Sequence, residues 1–217
     1  MKNGDIKGVI FDVDGVLLDT MPVWKTLGSG YLHTCGVQPP QDLDKTLFSM
    51  SMEQGAEYLH ENFLHDKSAR RIYDEMQMHL EDFYVNSAEA KPGVAELLRR
   101  IEHDGIPMAA ATSSPRVLVA AALERNGILQ YIKKLFTTGE MNTSKSSPLI
   151  YNTAARYLGT TPSETLVFED SLYALRTASQ AGFVTVGVVD IGEPNAEALM
   201  AEADVFVRSY EEWLNKN

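Results

Sequence analysis

The chain has 217 residues, of which 44% are hydrophobic and 23% charged, the balance of a soluble globular protein with room for a sizeable core. Its formal net charge of -11 argues against non-specific binding to nucleic acid or to an anionic membrane, both of which need a basic surface. Cys35 is the single cysteine, which excludes an internal disulfide; no apolar run is long enough to span a bilayer or to serve as a signal peptide, so a cytoplasmic location is expected.

The first predicted element begins at Gly8. Val9, Ile10 and Phe11 form a continuous apolar block, as in a strand buried on both faces of a parallel sheet. Asp12 and Asp14 end the run, and Gly15 marks a turn. Strand geometry would point the two carboxylates to one face. In open α/β sheets ligands bind outside the carboxyl ends of the strands. Two carboxylates placed there repel each other unless a cation lies between them or one keeps a proton. That crowding suits Mg²⁺ with oxygen ligands, and a division of labour between a nucleophile and a proton carrier. Taken alone, Asp-x-Asp reads better as an acidic, solvated turn.

Residues 17–87 read as a helical bundle inserted after that strand. Thr20 and Pro22 suit the start of a helix carrying Trp24, Leu27, Tyr31 and Leu32, with Gly36 as its stop. Further helices are predicted over 43–47, 52–64 and 68–84, and Ser51-Met-Glu-Gln54 has the form of a capping box. Trp24, Phe48 and the methionines here either pack helices or line a pocket, packing being the commoner use.

Lys91-Pro-Gly-Val94 breaks the pattern, and strands and helices then alternate. Helices are predicted over 94–103, 115–125, 148–158 and 172–181, and strands over 106–111, 135–138, 165–168, 184–189 and 205–207. The order predicts an α/β fold: a doubly wound, mostly parallel Rossmann-like sheet built from residues 1–16 and 88–217, with the helical bundle as an inserted cap.

Three stretches beside the first one carry chemistry. In Ala110-Ala-Thr-Ser-Ser-Pro115, Thr112 offers a hydroxyl, Ser114 is a good N-cap and Pro115 suits the first helical position. A helix N-terminus with free amides cradles phosphate, although plain capping accounts for the same residues. Lys145 lies in a Ser-rich loop, where a lysine by itself reads as a surface charge. Thr165-Leu-Val-Phe-Glu-Asp-Ser171 repeats the design of the first strand, an apolar run ending in two acids; alone, Asp170 reads as an N-cap. His33, His60, His65, His79 and His103 have no metal-ligand spacing with the cysteine.

With these stretches in this order, the chain resembles the haloacid dehalogenase superfamily of phosphotransferases, in its beta-phosphoglucomutase-like branch with a C1-type helical cap. The resemblance implies that Asp12 is the nucleophile forming an aspartyl-phosphate and that Asp14 is the general acid/base. It implies that Thr112 and the Ser113 amide hold the phosphoryl oxygens, that Ser114 touches substrate, and that Lys145 neutralises the nucleophile and the transferring oxygens. It implies Mg²⁺ bound by Asp12, the Asp14 main-chain carbonyl, Glu169 and Asp170. The chain departs from the usual Lys-Pro-x-Pro-Asp loop at Ser146 and Leu149, and has Ala174 where relatives place glycine.

The second aspartate, Asp14, argues against the dehalogenase and phosphonate-cleaving branches. In the mutases a cap arginine grips a second phosphate; here Phe48-Ser-Met-Ser-Met-Glu53 places Met52 at that point, and Trp24 stands where the mutases have a histidine. Both departures favour a Mg²⁺-dependent hydrolase of a small phosphorylated metabolite, acting as a monomer without nucleic acid or membrane. A sugar phosphomutase is the alternative, and a non-catalytic phosphate-sensing protein a third reading. A receiver-type signalling domain, which is shorter and has no helical insertion after its first strand, fits poorly.

Overall fold

The computed structural model describes residues 6–47, 50–189 and 196–216. The chain divides into two compact units, one made of Met1–Asp19 with Ala88–Asn217 and the other of Thr20–Ser87.

In the first unit, six strands among the described residues form one sheet in the order β3-β2-β1-β4-β5-β6, with every neighbouring pair parallel. The strands are β1 (Gly8–Phe11), β2 (Met108–Thr112), β3 (Ile132–Thr137), β4 (Thr165–Glu169), β5 (Val184–Val188) and β6 (Val205–Val207). Every residue of β1, β2 and β4 is buried, which is why these strands read as unbroken apolar runs instead of alternating ones. The strand order reverses between β1 and β4. In a doubly wound sheet, that switch point is where the connections leave a crevice beyond the carboxyl ends of the strands.

Helices α5 (Val94–His103), α6 (Arg116–Arg125), α7 (Leu149–Leu158), α8 (Leu172–Gln180), α9 (Ala196–Glu202) and α10 (Tyr210–Lys216) belong to the same unit, and α1 to α4 are those of the other. Helix α7 buries Ile150, Tyr151, Ala154 and Ala155 against Ile10, Ala109, Ala111 and Val167 of the sheet. It ends at Gly159, which adopts φ 75° as its left-handed C-cap.

The observed β3 starts three residues before the predicted strand. Lys133 and Lys134 are exposed there and hide the apolar pattern. Since β3 is an edge of the sheet, exposed lysines also discourage pairing with another chain. Helices α9 and α10 occupy stretches where no element is predicted.

The helical unit contains α1 (Met21–Thr34), α2 (Leu43–Leu47), α3 (Met52–Asn62) and α4 (Ala69–Asn86). Leu27, Tyr31, Leu32, Leu59, Ile72 and Met76 form the centre of its core, with Cys35 packed at the margin. The capping box is present in both halves: Ser51 Oγ accepts the Gln54 amide, and the Gln54 side chain accepts the Ser51 amide at 2.9 Å. Thr20 stands at the N-cap position of α1 but makes no side-chain cap bond. Trp24 packs against the core of this unit, where its Nε1 donates to Tyr84 Oη at 3.0 Å, and with Met50, Met52 and Met76 it also lines a cleft. Phe48 lies outside the described residues. Among the described residues, no helix is long and apolar enough to cross a membrane.

Candidate active site

Strands β1 and β4 pair in register, Phe11 beside Phe168, and the Asp12 amide donates to the Phe168 carbonyl at 2.9 Å. The residues that follow each strand are therefore brought side by side. Asp12, Glu169 and Asp170 are all buried, and one carboxylate oxygen from each lies within 4.8 Å of the others. Lys145 reaches in from the loop before α7. Its ammonium, also buried, stands 2.5 Å from Asp12 Oδ1 and 2.7 Å from Glu169 Oε1. The Val13 amide donates to the same Asp12 oxygen at 2.7 Å, and Tyr151 Oη donates to Glu169 Oε1 at 2.7 Å.

Burial, and after it the neighbouring Glu169 charge, pushes the Asp12 carboxyl well above its ordinary value, with Lys145 opposing. Burial disfavours the Lys145 charge too, but Asp12 and Glu169 more than offset it and hold the ammonium above its usual value. Burial and the Glu169 charge raise the Tyr151 phenol, so it remains a donor.

Lys145 thus pairs with two of the three clustered acids, Asp12 and Glu169. Among the described residues, Glu169 Oε2 is the buried side-chain oxygen with no hydrogen-bond partner. An oxygen-only donor set and an orphaned carboxylate oxygen fit a hard divalent cation.

Asp14 goes elsewhere. Strand β1 ends at Phe11 and the chain turns through Gly15 at φ 70°, so the expectation of a shared strand face for Asp12 and Asp14 does not hold. The half-buried Asp14 carboxylate instead accepts a 2.6 Å hydrogen bond from Ser114 Oγ. Ser114 accordingly is not the helix cap predicted for it: α6 begins at Arg116, with Pro115 at the N-cap position. A residue before proline is steered away from helical geometry, and here its hydroxyl is engaged across the site. The Ser114 amide donates to Thr112 Oγ1 at 3.0 Å, which leaves the buried Thr112 hydroxyl its own hydrogen to donate. Ser113, between them, is exposed. Asp170 is not an N-cap; Ser171 occupies that position for α8.

Three site-bordering residues escaped the sequence reading. Lys91, read only as part of a break, donates Nζ to the Gly15 carbonyl at 2.8 Å. Tyr210, on α10, donates Oη to the Val16 carbonyl at 3.1 Å. Together they pin the loop that carries Asp14. Tyr151 has as its only local signal that a buried tyrosine needs a partner for its hydroxyl. Of the departures from the family pattern, Leu149 at the start of α7 is exposed, and Ala174 on α8 is fully buried as a small residue.

Residues 9–188 match a family model described as haloacid dehalogenase-like hydrolase. The chain is 26% identical over 210 residues to the phosphorylated carbohydrates phosphatase of Thermotoga maritima, covering 97% of each chain. It is 29% identical over 208 residues to validoxylamine A 7'-phosphate phosphatase of Streptomyces hygroscopicus subsp. limoneus, covering 95% of each. Against beta-phosphoglucomutase of Bacillus subtilis it is 26% identical over 233 residues, covering 96% of each. A Thermotoga maritima crystal structure, of a protein provisionally named a beta-phosphoglucomutase, superposes with a TM-score of 0.85 at 26% identity over 97% of this chain and 99% of that one.

Proposed function

The chain belongs to the haloacid dehalogenase-like hydrolases, and from that membership we propose that it is a Mg²⁺-dependent phosphatase of a small phosphorylated organic compound, working through an aspartyl-phosphate on Asp12. The observation that carries the reading is the buried Asp12–Lys145 pair with Asp14 held close by Ser114. It joins a nucleophile, a fixed positive charge and a separate proton carrier.

Asp12 Oδ1 is occupied by Lys145 and the Val13 amide, so Oδ2 is the oxygen offered to phosphorus. As the Asp12–phosphorus bond forms and the ester P–O bond breaks, Asp14 gives its proton to the leaving alkoxide. Water then attacks the aspartyl-phosphate, Asp14 takes a proton from it, and inorganic phosphate leaves with Asp12 restored. The hydrogen bond from Ser114 holds the Asp14 carboxyl in place for both transfers. Lys145 and the Thr112 hydroxyl stabilise negative charge on the transferring oxygens. Mg²⁺ held by Asp12, Glu169, Asp170 and the Asp14 main-chain carbonyl would supply charge neutralisation at the phosphoryl group.

The names of the relatives make phosphorylated carbohydrates the first substrates to try. The net charge of -11 supports a small metabolite rather than a nucleic acid as the ligand, and we take the chain to act as a cytoplasmic monomer. A second reading, a sugar phosphomutase, draws on the similarity to beta-phosphoglucomutase of Bacillus subtilis. Against it, Met52 offers no charge for a second phosphate.

The test is phosphate release from a panel of phosphorylated sugars and polyols, with Mg²⁺ and with chelator, wild type beside Asp12→Asn. Mg²⁺-dependent release that disappears in the variant is the expected result. Isomerisation of a sugar monophosphate primed by a bisphosphate, without net release, would favour the mutase. Absence of both would overturn the enzymatic reading and leave phosphate sensing.

A further inference from the structure

Glu169 is the last residue of β4 and is fully buried. One of its oxygens, Oε1, takes two hydrogen-bond donors, Lys145 Nζ and Tyr151 Oη, each at 2.7 Å. The other, Oε2, takes none. The two donors differ in stiffness. Lys145 is a long side chain on a loop, and it divides its ammonium between Glu169 and Asp12. Tyr151 is a rigid ring on α7, fully buried between Ile10, Ala109, Val167 and Phe183, with the Phe183 ring edge-on at 6.1 Å. Its hydroxyl cannot move without displacing the core. A carboxylate pinned at one oxygen by such a group loses its freedom to turn, and its second oxygen is left facing one way, desolvated and unpaired. That arrangement costs free energy in the absence of a cation and returns it on binding.

We propose that Tyr151 is a positioning residue for the metal centre: by donating to Oε1 it locks Glu169 so that Oε2 is the atom presented to the cation. The inference rests on the Mg²⁺-binding reading above and assigns it a partner outside the ligands themselves. Groups that orient a metal ligand typically change metal affinity or activity by about 10- to 100-fold when removed.

The test compares wild type with Tyr151→Phe, which keeps the ring and its packing and loses only the hydroxyl. Mg²⁺ is titrated into chelator-stripped full-length protein, followed by calorimetry and by the thermal unfolding midpoint. The variant is expected to bind Mg²⁺ at least about tenfold more weakly. In a Glu169→Ala background the same change should add nothing, because the donor no longer has a ligand to orient. An affinity within about twofold of wild type, with the only loss being a lower midpoint in chelator, would overturn the proposal and leave Tyr151 as packing. Equal losses in both backgrounds would overturn it too. If wild type shows no response to Mg²⁺, the metal reading itself fails and this inference with it; a wild-type response with an unaltered variant sinks the inference alone.

Discussion

Lys145 Nζ stands 2.5 Å from Asp12 Oδ1, and the pair is buried at the carboxyl end of β1 beside two further acids. The ammonium therefore offsets part of the repulsion within the cluster. Lys145→Met keeps the stem of the side chain and removes the charge. The variant is expected to lose about 10²- to 10³-fold in kcat, from the missing stabilisation of developing charge. It should also lose about 3 kcal/mol of stability in chelator, because acids are left buried without their partner. Urea unfolding with steady-state kinetics reads both; full stability in chelator would contradict the electrostatic account.

Ser114 Oγ ties its loop to Asp14 across 100 positions of sequence. Ser114→Ala should leave the fold intact and remove this hold on the Asp14 carboxylate, the proton carrier of the proposed reaction. A hydrogen bond to a charged group contributes about 1.5 kcal/mol, which corresponds to a fall of about tenfold in kcat if it is fully felt in the transition state. Unchanged kcat with normal Mg²⁺ dependence would show that Asp14 is positioned without this contact.

In the helical unit, hydrogen bonds from Lys67, Tyr31 and Arg71 pull the Glu75 carboxyl from 4.5 down to about 2. A carboxylate whose pKa falls on folding stabilises the fold in its ionised form. The contribution is complete above the unfolded value, near 4.5, and is lost as pH falls toward about 2. With 23% of the side chain exposed, solvent screens the network, and about 1 kcal/mol is a reasonable size. Glu75→Gln should therefore be less stable than wild type at neutral pH, with the gap narrowing in acid and closing near pH 2. Urea midpoints taken across that range decide it; a gap independent of pH would rule the charge out as its origin.

Gly93 precedes α5 at φ 87°, and a Cβ there would lie 2.9 Å from the Glu211 amide nitrogen of α10. Backbone conformation and close approach both demand glycine. Gly93→Ala is expected to cost about 2–4 kcal/mol, from left-handed strain and overpacking together. Because α10 also carries Tyr210, which holds the Val16 carbonyl, the variant should lose activity in step with stability. A thermal midpoint equal to wild type would refute the packing argument.

Much was legible along the chain because it depends on neighbours in sequence. The apolar block Val9 to Phe11 followed by acid, its echo before Glu169, the capping box at Ser51 and the stop at Gly159 are short-range patterns of period, turn and cap chemistry, and each appears where it was expected. Such patterns follow from local sterics and from which faces need burial. The fold class and the strand ends that carry Asp12, Glu169 and Asp170 come from the same source, whereas Lys145, in a Ser-rich loop, is singled out only by the family resemblance.

Only the tertiary structure decided how those groups meet. It ended β1 at Phe11, joined Asp14 to Ser114 by a hydrogen bond, and placed Pro115 instead of Ser114 at the helix N-cap. It also brought Tyr151, Lys91 and Tyr210 to the edge of the site, the last across 194 positions of sequence. A hydrogen bond between distant residues depends on strand register and on which helix face the core buries. No local preference of a tyrosine or a serine encodes either, so its partner appears only when the sheet has closed around it.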